Sequence, residues 1–237
     1  WHYWQAKRLT LPQYNITKIT QAGLFKEALR TQYLAELLGL STTHPLNIFL
    51  FDCQKAESRL RQSPWIKEVK VTKVKPDRVC VDYAVRQPVA WLLDYENVAF
   101  DNEGYLLPIQ PFVAPPKMPE VYLGLPVFNH PGDEEKRPGG EWLQPLQCEH
   151  MSLAQELLQC LSQQPLKEAF RLLRLDVSRA FSPNYGRREI ILTIEDEIAI
   201  ANEKHDVLLI FPRILRLNPQ NYPEQLDNYL ALRSKMA

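Results

Sequence analysis

Glycine is in short supply, with 8 residues in a chain of 237 that holds 19 prolines. Phosphate-cradling loops depend on glycine, and neither G-x-G-x-x-G nor G-x-x-x-x-G-K-[ST] occurs, which argues against the common nucleotide enzymes. Net charge is missing too: Lys+Arg and Asp+Glu both number 28, for a formal balance of +0. Phosphate backbones select basic surfaces, so the balance argues against a broad nucleic-acid footprint, although not against a local patch. The four cysteines (Cys53, Cys80, Cys148, Cys160) form no C-x-x-C pair. The five histidines (His2, His44, His130, His150, His205) have no metal-ligand spacing. The sequence contains no run of about 20 apolar residues that could cross a bilayer, and no signal peptide is visible.

What is present is ordinary globular material, 45% hydrophobic and 24% charged, enough for a real core in one large domain or two small ones. The chain opens "WHYWQAKRLT". Trp1, Tyr3 and Trp4 followed by Lys7 and Arg8 have the composition that flanks a membrane span. The plainer reading of the same residues is a tail whose aromatics pack on the domain.

Periodicity supplies the elements. "YNITKIT" at 14 to 20 reads as a short strand. "FKEALRTQYLAELLGLS" sets Phe25, Leu29, Tyr33, Leu37 and Leu40 at helical spacing, with Gly39 near its end. Asp52 is placed to cap a second helix whose stripe is Cys53, Ala56 and Leu60. Two strands follow across a Lys75-Pro76-Asp77 turn. Val69 and Val71 oppose Lys70 and Thr72 on the first, and Val79, Val81, Tyr83 and Val85 point inward on the second. Two helices cover one face of a three-stranded sheet, which matches this alternation. Cys53 should face the sheet and Cys80 should face away, so no disulfide joins them.

Beyond Gln87, "VAWLLDYENVAFDNEGYLLP" predicts short strands broken at Tyr95-Glu96-Asn97 and at Asp101-Asn102-Glu103-Gly104. Residues 108 to 145 are proline-rich and predict loop, with "GDEEKRPGG" the best candidate for a mobile segment. A helix is expected over "SLAQELLQCLSQQ" with Ser152 as cap and Leu153, Leu157, Cys160 and Leu161 on one face. Strands are expected at 170 to 178, 187 to 195 and 206 to 217, then a helix from about 223 to 235.

The strand-helix-helix-strand-strand order resembles a POTRA domain, and the detail resembles the cell-division FtsQ/DivIB family. The residues that carry the likeness are Phe51, Pro64-Trp65-Ile66, Pro76-Asp77, Arg86-Gln87-Pro88-Val89-Ala90 and Asp101-Asn102-Glu103-Gly104. "PEVYLGLPV" and "RREIILTIED" continue it more diffusely. Val85 stands where the family usually has an acidic residue, and "IAIANEKHDVLLIFPRI" is longer than the usual connection.

The resemblance implies an α+β chain in which a POTRA domain (β-α-α-β-β, a three-stranded sheet with two helices on one face) precedes a mixed β-domain with helices. The boundaries expected are a juxtamembrane tail at 1–13, the POTRA domain at 14–87 and the β-domain at 88–237. The family's β-domain closes, after a helix like "EQLDNYLALRSK", with a final strand pair that this sequence lacks. The chain is therefore read as a fragment, with an apolar span expected before Trp1.

The function implied is that of a non-enzymatic scaffold of the bacterial division complex. It would be single-pass in the inner membrane with this region periplasmic, and would dock proteins of the FtsB/FtsL type and the FtsK/FtsW type without cofactor, metal, nucleic acid or small-molecule substrate. The alternative is a POTRA protein that chaperones or assembles outer-membrane or secreted polypeptides, though those usually carry tandem POTRA units before a barrel.

Candidate docking residues are Lys67, Lys70 and Lys73 on an edge strand, although the plainer reading of their charges is a guard against indiscriminate pairing. Tyr222, Asp227, Tyr229 and Arg233 on the last helix are the second set, with Leu226 and Leu230 packing inward. An enzyme finds little to build on. Glu195, Asp196 and Glu197 alternate faces along a strand and make no acid/base pair, Asp133, Glu134 and Glu135 form a solvated run, and Ser178 and Ser182 have no identifiable base.

Overall fold

The computed structural model describes residues 8–22, 29–109, 117–126, 143–200 and 207–236. The chain divides into two compact units, Trp1–Gln87 and Pro88–Ala237. The stretch "GDEEKRPGG", expected to be mobile, and the carboxylates at 133, 134 and 135 lie outside the described residues, as do Trp1, Tyr3, Trp4 and Phe25.

Unit 1 has the order β1 (Lys18–Ala22), α1 (Thr31–Leu38), α2 (Cys53–Leu60), β2 (Ile66–Val74) and β3 (Arg78–Val85). Strand β3 is central: β1 pairs with it in parallel and β2 antiparallel, giving the sheet order β1-β3-β2. The expected α+β arrangement of a POTRA domain is therefore observed. Val69, Val71, Val79, Val81 and Tyr83 are buried in one cluster with Leu34, Leu38, Ala56 and Leu60 from the two helices. The opposite face leaves Lys70, Thr72, Arg78 and Asp82 exposed. Trp65, 3% exposed, belongs to the interior. All four cysteines are free.

Two helix ends show how the sequence sets the boundaries. The Asp52 carboxylate accepts hydrogen bonds from the amides of Gln54 (2.9 Å) and Lys55 (3.2 Å), satisfying two of the orphan donors of the first turn of α2. Gly39 ends α1 in the left-handed region (φ 66°), and its N–H reaches the carbonyls of Ala35 and Glu36. A Cβ at Gly39 would also meet the Arg59 guanidinium at 2.8 Å.

The first two elements depart from expectation. The chain does not become a strand at Tyr14. Pro12–Tyr14 forms a single turn of 3-10 helix, and Ile16 and Ile48 bond instead across to Leu46 and Tyr14, so β1 starts only at Lys18. The buried positions of α1 are Leu34 and Leu38, with Tyr33 and Leu37 only half-buried beside them. Leu29 lies ahead of the helix, its amide donating to the Tyr83 hydroxyl at 2.9 Å, while that hydroxyl donates to Gln21 at 2.6 Å. Tyr83→Phe is expected to destabilise unit 1 by about 1–3 kcal/mol, since the buried Leu29 amide loses its acceptor. A urea midpoint unchanged from the wild type would count against this bridge.

Unit 2 is built on seven strands: β4 (Pro88–Leu92), β5 (Val98–Asp101), β6 (Leu106–Pro108), β7 (Glu120–Tyr122), β8 (Phe170–Asp176), β9 (Ile190–Ile200) and β10 (Val207–Leu217). Their order is β10-β9-β8-β7-β4-β5-β6. Helices α3 (Glu149–Leu161), the four-residue α4 (Leu166–Ala169) and α5 (Tyr222–Met236) contribute Met151, Ala154, Leu157, Leu161, Leu166, Ala169, Tyr222 and Leu226 to the same core as the strands.

The β5–β6 hairpin follows from the Asp101-x-x-Gly104 sequence. The buried Asp101 carboxylate accepts from the amides of Glu103 and Tyr105 (both 2.9 Å), and Gly104 takes a positive φ of 84°.

Two corrections concern this unit. The proline-rich stretch expected to be loop contains β7, which lies in the middle of the sheet and pairs in parallel with β4 on one side and β8 on the other. Asp94 secures its exit by accepting from the amides of Leu123 (2.8 Å) and Leu125 (2.6 Å). Helix α3 starts three residues before Ser152. Its cap is Cys148, whose sulfur accepts from the Met151 amide, and Ser152 turns its hydroxyl back to the Cys148 carbonyl.

Candidate partner-binding edges

An edge strand presents unpaired backbone groups, so the two sheets offer β1 and β2 in unit 1 and β6 and β10 in unit 2. The candidate residues fall at two of these edges. Lys67, Lys70 and Lys73 are all exposed on β2. Lys67 sits where the register with β3 shifts, between Ile66 and Glu68, while Lys70 stands opposite Asp82 on the outer face. The three lysines therefore do not form one row: only Lys70 belongs to the regular outer face.

The edge of β2 is partly occupied by its own domain. The Val71 amide donates to Glu57 Oε1 of α2 at 2.8 Å, so this N–H points away from β3. By the alternation of an antiparallel pair, the amides of Val69 and Lys73 point the same way. Glu57 is steadied by Arg61 one turn on, at 3.5 Å. A carboxylate thus caps the central outward donor of this edge, a contact that no sequence spacing announces.

In unit 2 the strand β10 ends the sheet. Ile210 (55% exposed) and Ile214 (66% exposed) lie on its outward face, while Leu217 is buried. Pro212 sits mid-strand, where only an edge position whose missing N–H faces solvent tolerates proline. That parity gives Ile210 and Ile214, two residues either way, outward amides.

Helix α5 packs beside this strand with more of its polar residues inward than the sequence suggests. Tyr222 is 7% exposed and donates its hydroxyl to Glu156 of α3. Tyr229 donates to Asp196 Oδ2 at 3.0 Å, and Arg233 Nε donates to Asp196 Oδ1 at 2.8 Å. Leu226 is buried as expected, Leu230 packs on the same core, and Asp227 is exposed. The expectation that Tyr222, Tyr229 and Arg233 stand on an outer face is corrected: at i, i+7 and i+11 they share the inner face with Leu226.

Asp196 is the residue that sequence reasoning missed. It is 0% exposed and lies at the end of the inward series Ile190, Leu192, Ile194, with Arg213 of β10 as a third partner at 3.5 Å. Its signal was that parity: a carboxylate in the inward register of a strand demands cations nearby. Burial pulls its pKa up, but the hydrogen bonds of Arg233 and Tyr229 and the charges of Arg233 and Arg213 outweigh that and hold it below the usual carboxylate range. Burial, with the Asp196 hydrogen bond and charge, pushes the Tyr229 phenol up to about 12. Tyr222 is likewise raised, first by burial and then by Glu156. The neighbouring Glu195 points the other way, toward Arg171 at 3.4 Å, so Glu195 and Asp196 do not act together.

Among the described residues no cluster of His, Cys, Asp and Glu has the makings of a metal site, and no helix is long and apolar enough to cross a membrane.

A three-stranded sheet under two helices is the arrangement of a POTRA domain, and here a seven-stranded sheet carrying helices of its own follows it. Residues 26–82 match the family profile described as POTRA domain, FtsQ-type, and the resemblance to the FtsQ/DivIB family holds over that domain. The chain is similar to cell division protein FtsQ of Myxococcus fulvus, at 33% identity over 97 residues, covering 40% of this chain and 32% of that one. It is similar to FtsQ of Bartonella bacilliformis at 32% over 100 residues, covering 42% and 30% respectively. For FtsQ of Rickettsia typhi the identity is 35% over 82 residues, covering 33% and 31%. The matched region thus spans about a third of the length of these relatives.

Proposed function

We propose that this chain is a non-enzymatic scaffold of the bacterial cell-division complex, held at the inner membrane with both units extracytoplasmic. It docks other division proteins, of the FtsB/FtsL type and the FtsK/FtsW type, through exposed strand edges and the β-rich unit. The division role rests on the FtsQ-type profile match and on the FtsQ names of the relatives. The observation that carries the docking mode is that an FtsQ-type POTRA sheet and the sheet that follows it each end in an exposed strand, β2 and β10. Strand addition satisfies the outward backbone groups of such an edge and reads alternate side chains for specificity.

The test is capture of division-complex coiled-coil segments by the full chain carrying proline at outward amides. Lys73→Pro removes an edge donor on β2 without breaking the ladder to β3, and Ile214→Pro does the same on β10. Docking at β2 is expected to weaken at least about tenfold with Lys73→Pro. It should tighten a few-fold with Glu57→Ala, which frees the Val71 amide. Capture unchanged by proline at both edges would rule out strand addition.

A further inference from the structure

One end of unit 1 brings apolar and basic side chains together where the chain enters the domain. The Asn47 side-chain amide donates to the carbonyls of Arg8 (3.1 Å) and Leu9 (3.0 Å), tethering the incoming segment. Beside it the rings of Tyr14 and Phe49 meet edge to face at 5.1 Å, and the Lys75 ammonium lies 5.5 Å from the centre of the Phe49 ring. Around them Leu9 (41%), Leu50 (60%) and Val74 (42%) are exposed.

Two carboxylates lie nearby: Asp52 caps α2, and Asp77 accepts from the Thr17 hydroxyl. Both acids keep their charge, but the exposed cations Arg8, Lys73 and Lys75, with Lys18 and Arg78 beside Asp77, outnumber them and leave this end positive.

We infer that this end of unit 1 is a membrane-contact surface that seats on an anionic phospholipid bilayer. Leu9, Leu50 and Val74 enter the boundary of the acyl chains, Tyr14 and Phe49 lie at headgroup level, and Lys75 reaches the phosphates with its stem along the Phe49 ring. The composition is interfacial: aliphatic tips, half-buried aromatics and an excess of cations over acids. Trp1, Tyr3, Trp4 and Lys7 extend the same composition in sequence directly up to the tethered Arg8. The inference rests on the membrane-side part of the reading above, but its test needs no division partner, so failure here leaves the capture experiment to stand or fall by itself.

The test is co-sedimentation of the full chain with vesicles of phosphatidylglycerol and phosphatidylethanolamine, against vesicles of phosphatidylcholine alone. Binding is expected to the anionic vesicles and to fall steeply with salt. Leu50→Glu with Val74→Glu is expected to weaken partition at least about tenfold, and Lys75→Glu about fivefold. These side chains are exposed, so an unchanged thermal midpoint verifies that the variants remain folded.

A third variant, Trp1→Ser with Trp4→Ser, separates the tail from the domain. Partition that depends on the tail alone, and ignores Leu50, Val74 and Lys75, overturns the inference. So does wild-type chain that stays in the supernatant, including the case where this end instead captures a protein.

Discussion

Asp196→Ala is expected to lower the stability of unit 2 by about 3 kcal/mol, at the lower end of the cost of breaking a buried ion pair. For a unit of this size that corresponds to a midpoint lower by on the order of 10 °C. The carboxylate is fully buried and takes three partners from two elements: Tyr229 and Arg233 on α5, and Arg213 on β10. The two guanidiniums retain 23% and 30% side-chain exposure, so they regain water when the acid is lost, which sets the cost below the worst case. Tyr229 has less recourse, since its ring packs edge to face on Phe170 at 5.9 Å. Asp196→Asn keeps the shape and one acceptor and should cost about half as much.

The pH dependence follows from the sign of the shift. The folded-state pKa of Asp196 lies below its unfolded value, so the folded state binds fewer protons and the contribution is fully present above about pH 4. It fades as pH falls through the folded pKa. The gap between wild type and Asp196→Ala should therefore be constant near neutrality and close under acid. No gap at pH 7 would mean that α5 is held by Tyr222, Leu226 and Leu230 alone, and a gap that widened on acidification would mean that the folded-state pKa is raised rather than lowered.

This latch also bears on the docking edge. Arg213 contributes to it from β10, and Ile214, the next residue, faces outward from the same strand. Loosening Asp196 thus removes a restraint on the inner face of the very strand proposed to receive a partner. Partner capture by Asp196→Ala should weaken along with stability, whereas Asp227→Ala, on the exposed side of α5, should leave the fold untouched.

Much of unit 1 was legible because its elements carry strong local rules. Asp52 before an apolar stripe, valines alternating with lysines, and Pro76-Asp77 between two such runs each act over a few residues, and each is where the reading put it. The misses share a different cause. Strand β7 is three residues long inside a proline-rich stretch, so no window shows its period of two. What makes it a strand is parallel pairing with segments about 30 residues before and 50 after it, which leaves no local trace. The inner face of α5 was misassigned because tyrosine and arginine count as polar in a periodicity argument. Here Tyr222, Tyr229 and Arg233 bury their bodies and spend their polar ends on Glu156 and Asp196. The Glu57 cap on β2 was invisible for the same reason as β7, since it joins a helix and a strand that only the fold brings together.

Strand β7 accordingly carries the second large effect. Val121→Asp is expected to cost unit 2 at least about 4 kcal/mol. Val121 is 0% exposed and stands between Leu92 of β4 and Leu175 of β8, with Leu123 buried just beyond it. An ionised carboxylate there has no cation among its paired neighbours and no water, and a protonated one still lacks a hydrogen-bond partner. The consequence is not confined to one site. With only three residues, β7 is the sole link in the sheet order between the β4-β5-β6 meander and the β8-β9-β10 meander, and its carbonyls serve both sides. Val121 accepts from Leu93 (2.8 Å), next to Pro119 just ahead of the strand, which accepts from Trp91 (2.9 Å), while Tyr122 accepts from Val177 (3.0 Å). Displacing it should separate the two halves of the core rather than leave a local cavity. Val121→Thr, similar in shape but with a buried hydroxyl, should cost about 1–3 kcal/mol and keep the sheet whole. Calorimetry of the full chain reads the difference. Val121→Asp should abolish or greatly lower the transition of unit 2 while the transition of unit 1 persists. An unshifted unit 2 transition would mean that the two meanders hold together without β7, through the helices packed on them.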